Sequence, residues 1–293
     1  MRYRITHTTR YAYSTPVTLC HNEARLTPTD GGRQARRRSV FTIEPSPKVF
    51  DERLDYFGNQ VTYFGVESPH ARLTVTVVSE VTTEPSPAQL PLGADLAWED
   101  VRLRVHEASD AELRALHQYV LDSPLVRPVA GMREYALESF SPGRSVMDAS
   151  LELMHRIHED FTYDATATTI STPLAQVWKA RRGVCQDFAH LAIAMLRAIE
   201  LPAGYVSGYL ETLPPPGKPK LVGADASHAW FALHLPDAGW VEFDPTNDQM
   251  PTEQYIVVAR GRDYADVAPL KGVIYGGGSH SMQVSVDVRN LDA

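Results

Sequence analysis

The stretch "RRGVCQDFAHLAIAML" (residues 181–196) decides how this chain is read. Two arginines, a glycine and a valine lead to a cysteine, and an apolar run follows. Phe188, Leu191, Ala192, Met195, Leu196 and Ile199 recur at the spacing of one helix face, so a buried helix is predicted to begin near Cys185 and to end before Pro202. Gly183 lets the backbone turn into that helix, and Ala189, one turn past Cys185, allows tight packing beneath the sulfur. At a helix start the N–H groups lack partners and the dipole is positive, which stabilises a thiolate. Arg181 and Arg182 would add to that potential, whereas Asp187 opposes it or caps the first turn. An arbitrary cysteine is more often a small core hydrophobe, so chemistry at Cys185 requires partners.

The segment "DASHAWFALHLPDAGWVEFDPTND" (residues 225–247) supplies them. It reads as a hairpin turning at Pro236-Asp237-Ala238-Gly239. Strand alternation puts His228, Trp230, Ala232 and His234 on one face, and sets Glu242 and Asp244 apart from Val241 and Phe243. Closing the hairpin brings Asp244 within about three residues of the position opposite His228. A thiol needs a base that takes its proton and later returns it to a leaving amine, and imidazole titrates in the right range. A carboxylate fixes the ring's tautomer and stabilises its cation. Cys185, His228 and Asp244 are therefore the candidate nucleophile, base and orienter.

"GVCQDFAHLAIAMLRAIELPAGYVSGYL" and "SHAWFALHLPDAGWVEFDPTN" together resemble the transglutaminase-like core, a relative of the papain-type thiol enzymes. The resemblance lies in the glycine before the cysteine, the His-Ala-Trp, and the Asp-Pro-Thr, and it covers roughly residues 145 to 270. "GRDYADVAPLKG" (residues 261–272) further resembles the bacterial branch that carries an N-terminal β-domain. The resemblance implies an α+β fold: a papain/transglutaminase-like core of helices packed on an antiparallel sheet, after a β-sandwich-like N-terminal domain. It also implies the same three catalytic roles. Papain-type proteases place an oxyanion-donating glutamine six residues before the cysteine, where this chain has Lys179. The backbone N–H of Cys185 is then one expected donor, with Gln186, Trp178 and Tyr163 as candidates for the other.

The 293 residues are comfortable for two domains, expected at 1–88 (β-rich) and 89–293 (catalytic). "YRITHTTRYAY", "ARLTVTVVSEVTTE" and two runs around the turn Phe57-Gly58-Asn59 read as strands, and "EPSPAQLPLGAD" (residues 84–95) as the connection. "SVMDASLELMHRIHEDF" (residues 145–161) is helical, and "SMQVSVDV" alternates as a strand with Met282, Val284, Val286 and Val288 on one face. A net charge of −8 argues against a nucleic-acid partner; Arg33, Arg36, Arg37 and Arg38 read as a solvated edge or loop. No signal-peptide core or membrane-length apolar run is visible, and two cysteines make no disulfide framework. A soluble, cytoplasmic protein with free thiols is expected.

His190 falls about 140° around the helix from Cys185, which suits a structural role. His155 and His158, beside Glu159 and Asp160, are a weak metal signal and read as a solvated helix end. No metal and no cofactor are expected. The leading expectation is thiol-dependent acyl transfer on a peptide or protein amide, most simply hydrolysis by a cysteine protease or amidohydrolase. The alternatives are a protein-glutamine transamidase and a non-catalytic binding protein on the same fold.

Overall fold

Residues 1–85, 92–108, 110–212 and 227–292 are described in the computed structural model. The β-branched and aromatic runs of the first part form β1 (Arg2–Ala24), β2 (Gln34–Glu44), β3 (Val49–Leu54), β4 (Gln60–Val66) and β5 (His70–Thr83). β1 is long enough to serve two partners. Up to Ala12 it pairs mainly with β5, then the register breaks, and from Cys20 to Ala24 it pairs with β4. Outer strands β2 and β3 extend the two arms. Cys20, Phe64 and Val66 from one arm meet Leu73, Val75 and Val77 from the other in one apolar core, as expected of a sandwich-like module. On outer strand β2, Arg36 pairs with Asp30 and Arg37 donates to Thr82 Oγ1.

Helices follow: α1 (Trp98–His106), α2 (Ala111–Ala115), α3 (Met132–Ser139) and α4 (Val146–Asp160), the last capped by Ser145 Oγ accepting from Asp148 N. Then come β6 (Thr162–Tyr163), α5 (Leu174–Ala180), β7 (Arg182–Gly183) and α6 (Cys185–Ala198). The helix predicted from its apolar face is α6, and it starts at Cys185 itself. Phe188, Leu191, Ile193, Met195 and Leu196 are fully buried. At about 1.5–3 kcal/mol per large apolar side chain, that burial anchors the helix and fixes where its first turn lies.

Strands β8 (Ala203–Leu210), β9 (Ser227–Leu235), β10 (Gly239–Phe243) and β11 (Tyr255–Gly261) form an antiparallel sheet of order β10-β9-β8-β11. Tyr205, Ala229, Phe231, Leu233 and Phe243 pack toward α6, while Val206, Trp230, Ala232 and Val257 form a second cluster. The fold class is therefore the α+β arrangement expected, with helices on an antiparallel sheet.

The chain ends with α7 (Tyr264–Val267), β12 (Leu270–Gly276) and β13 (His280–Asn290). The expected boundary between 88 and 89, and most of the 84–95 connection, lie outside the described residues. Beyond the core, β12 pairs with the second arm of β1 and β13 with the first, from Tyr3↔Asn290 to Tyr13↔His280. The last strands of the 89–293 segment thus belong to the first sheet. The alternation in "SMQVSVDV" signals a strand but cannot say which sheet it completes. Val286 and Val288 are buried with Tyr3, Ile5, Tyr209, Ile256 and Val258 in a cluster that joins the two sheets. Met282 and Val284, on the same alternation, are exposed.

Candidate active site

The site forms where the start of α6 meets the ends of β9 and β10. Three local features hold Cys185 there. Its helix is seated by burial. Its approach is fixed by β7, which pairs in parallel with β6 so that Tyr163 lies opposite Gly183. The first turn is closed by Asp187, whose Oδ2 accepts from Val184 N (2.9 Å) and Thr168 Oγ1 (2.6 Å). Of the two readings open for Asp187, capping is the observed one. Burial raises its pKa, although both hydrogen bonds act the other way. Gly183 is required for this contact, because a Cβ there would sit 2.7 Å from the Asp187 carboxylate oxygen. Arg182 pairs with Asp164, and the Arg181 guanidinium lies 3.9 Å over the Trp178 ring.

The β9–β10 register sets Phe231 opposite Phe243, so Asp244 follows the ladder two residues from the position opposite His228. His228 Nε2 donates to Asp244 Oδ2 at 2.7 Å. Cys185 lies near enough to the imidazole to help raise its pKa. With Nε2 taken by the carboxylate, Nδ1 is the ring nitrogen left for the thiol. Burial pushes the His228 pKa down, but the hydrogen bond to Asp244, the neighbouring Cys185 and the charge of Asp244 outweigh it and hold the imidazolium up to about 10.

Asp244 is fully buried. Besides His228, its Oδ2 accepts from Asn247 Nδ2 and Tyr255 Oη, each at 2.7 Å, and its Oδ1 accepts from Thr246 N at 2.9 Å. Burial alone would raise its pKa; His228, Asn247 and Tyr255 together bring it below the usual carboxylate value. Gln249 Nε2 donates to Tyr255 Oη (2.7 Å), and the Asp244 and Gln249 backbones are bridged. Opposite His228 on β8 is Gly208, where a Cβ would meet Ile256 O at 2.2 Å and the Trp230 ring at 2.5 Å.

The structure therefore brings Cys185, His228 and Asp244 together. The three oxyanion candidates fare differently. Gln186 is half-buried on the first turn beside Cys185. Tyr163 stands edge-on to Phe188, and its pKa is raised by burial and by the charge of Cys185. Trp178 is occupied elsewhere, in a cluster with Tyr135, Phe161 and Arg181. His190 is buried, accepts from Tyr264 N (3.2 Å), and is lowered to about 4 by burial. His155 and His158 are more than a solvated helix end. His155 Nδ1 pairs with Asp248 at 2.8 Å, and His158 Nδ1 reaches the Pro245 and Thr246 carbonyls at 3.2 and 3.1 Å. Both tether the turn that carries Asp244. Among the described residues no group of three or more His, Cys, Asp or Glu could hold a metal.

Sequence reasoning missed Asn247 and Tyr255, and read His158 only as part of a solvated helix end. Asn247 lies in the quoted "DPTN" and could have been found three residues past Asp244. Tyr255 and His158 reach the site through tertiary contacts with no local signature.

Comparison with known proteins gives matching families for both parts. Residues 3–82 match the bacterial transglutaminase-like N-terminal region, and residues 133–245 match the transglutaminase-like superfamily. An uncharacterized protein of Mycobacterium tuberculosis is 45% identical over 98% of this chain and 92% of its own length. A protein-glutamine gamma-glutamyltransferase of Pseudomonas aeruginosa is 30% identical over 137 residues, 43% of this chain and 20% of that protein. Among solved structures, one described as a "Putative Cysteine Protease from Cytophaga hutchinsonii" shares the fold, with a TM-score of 0.79 over 100% of this chain and 91% of that one at 20% identity.

Proposed function

This chain belongs to the transglutaminase-like superfamily, and from that premise we propose that it is a thiol-dependent acyl-transfer enzyme that hydrolyses amide or peptide bonds. The observation that carries this reading is the gathering of Cys185, His228 and Asp244, with His228 Nε2 hydrogen-bonded to Asp244 Oδ2 and the carboxylate fully buried among four donors.

His228 takes the proton of Cys185, and the sulfur attacks the carbonyl carbon as the carbonyl electron pair moves to oxygen. The backbone N–H of Cys185 holds that oxyanion, with the exposed Tyr163 hydroxyl or the half-buried Gln186 amide as the second donor. The C–N bond then breaks as imidazolium Nδ1–H protonates the departing amine, leaving a thioester. Water attacks the thioester while His228 accepts its proton. The acid is released and the thiol is restored. Asp244 keeps the imidazole in the tautomer that presents Nδ1 to sulfur and stabilises its cation.

A second reading, transfer to a primary amine, draws on the similarity to the Pseudomonas gamma-glutamyltransferase. Water is favoured because a transamidase must shield its thioester from solvent at about 55 M, which calls for a closed channel. The test combines labelling by a thiol-directed electrophile with an acyl-donor peptide offered together with a millimolar primary amine, the products being resolved by mass. Free acid as the main product is expected. Predominant amine adduct overturns hydrolysis in favour of transamidation, and absence of any Cys185-dependent product overturns both.

A further inference from the structure

The sheet that carries His228 has an open edge. Among the described residues β11 pairs only with β8 in that sheet, so one row of its N–H and C=O groups needs other partners. Two side-chain amides from the first sheet meet that need. Gln34 Nε2 donates to Val257 O and its Oε1 accepts from Val257 N, both at 2.8 Å. Asn59 Nδ2 donates to Arg260 O and its Oδ1 accepts from Arg260 N, both at 2.7 Å. Each amide bonds a β11 residue as a neighbouring strand would. Residues three apart normally face opposite edges of a strand. The register shift between Val257 and Ala259 in the β8–β11 ladder turns Val257 and Arg260 to the same side.

The two contacts are not equivalent. Val257 lies two residues from Tyr255, which donates to Asp244. Arg260 lies at the far end of the strand. Gln34 is itself braced, its Nε2 also donating to Thr29 O (2.7 Å), and Thr29 N donates to the same Val257 carbonyl (3.1 Å). Thr83 Oγ1 further holds Glu253 O at 2.6 Å, on the loop that enters β11.

We propose that Gln34 of the N-terminal sheet is a positioning residue for the Cys185–His228–Asp244 site, acting through Val257 and Tyr255 on the Asp244 carboxylate. The inference rests on the functional reading above and gives the N-terminal strands a part in catalysis. Asn59 docks the same edge at Arg260, at the end of β11 away from Tyr255.

The experiment follows alkylation of Cys185 by iodoacetamide in the full chain across pH, which needs no substrate. Gln34→Leu keeps the bulk and removes both hydrogen bonds to Val257 together with the one to Thr29 O. It is expected to slow alkylation at pH 6 about fivefold, the scale of one lost hydrogen bond. Tyr255→Phe should do the same, and Gln34→Leu should add nothing in the Tyr255→Phe background. Asn59→Leu should stay within about twofold of wild type despite a comparable loss of thermal stability. Should Gln34→Leu fail to fold, Gln34→Glu, which keeps acceptance from Val257 N, carries the same test through its non-additivity with Tyr255→Phe. Multiplicative effects, an unchanged Gln34 variant, or an Asn59 variant as slow as Gln34→Leu overturn the proposal. A wild-type Cys185 no more reactive than Cys20 overturns the functional reading instead.

Discussion

Replacing Asp244 tests both the chemistry and the packing of the site. Four donors converge on its carboxylate: His228 Nε2, Asn247 Nδ2, Tyr255 Oη and Thr246 N. Asp244→Ala leaves all four without their acceptor in a fully buried position. At the low end of about 1–3 kcal/mol per orphaned group, the cost is about 4 kcal/mol, a large fraction of a typical folding free energy. Asp244→Asn costs less. Its oxygen can take the place of Oδ2 and satisfy three donors, leaving the amide NH2 against Thr246 N–H alone, about 1–3 kcal/mol. Both substitutions remove the charge that holds the imidazolium. Burial then dominates, so the His228 pKa falls from about 10 toward or below its ordinary value. The sign of the linkage follows. A raised histidine stabilises the native state fully below its unfolded pKa near 6.5, and that contribution is lost as pH rises through about 10. Wild type should therefore lose more stability than Asp244→Asn between pH 6.5 and 10. Urea melts across that range, with the Cys185 alkylation rate, measure it. Expected reactivity runs wild type, Asp244→Asn, Asp244→Ala, Cys185→Ala in falling order. An Asp244→Ala chain with a wild-type melt and full reactivity would refute the orienting role.

Iodoacetamide at pH 6 should modify Cys185 before Cys20, which is fully buried and whose thiol is raised by burial, and His228→Ala should slow the reaction; equal rates by peptide mass mapping count against catalysis. Gly208→Ala should destabilise by about 2–3 kcal/mol, because the nearest obstacle is the Ile256 backbone oxygen at 2.2 Å, which cannot swing aside; a wild-type melting temperature contradicts this. Arg197→Met should cost about 3–5 kcal/mol, since the buried guanidinium holds the Tyr119, Leu121, Ala203 and Arg262 carbonyls; a denaturant midpoint near wild type disproves that clamp.

How much was legible in the sequence depends on how local each signal is. The apolar face of α6 and the bulk of its burial fix both its existence and its first residue, so Cys185 could be placed at a helix start. The β9–β10 hairpin is equally local, and its turn leaves Asp244 two residues from the position opposite His228, within the expected reach. The supports of Asp244 are another matter. His158 comes from α4 and Tyr255 from β11, and no spacing in the chain encodes their meeting with it. The same limit applies to β12 and β13. Their alternation gives a strand and an inward face, but pairing with β1 across the whole core is a tertiary fact.

That pairing has a consequence for how the protein is made. β1 emerges before the core during synthesis, yet β12 and β13, which cover its free side, emerge only after every helix and strand of the core. Until then β1 presents an unpaired edge of the kind that recruits other chains, and a ribosome that stalls before Leu270 releases a product with that edge still open. Nascent chains should therefore lean on holdase protection until late in translation. Chains cut short within the last strands should be cleared or aggregate rather than persist as partly active protein.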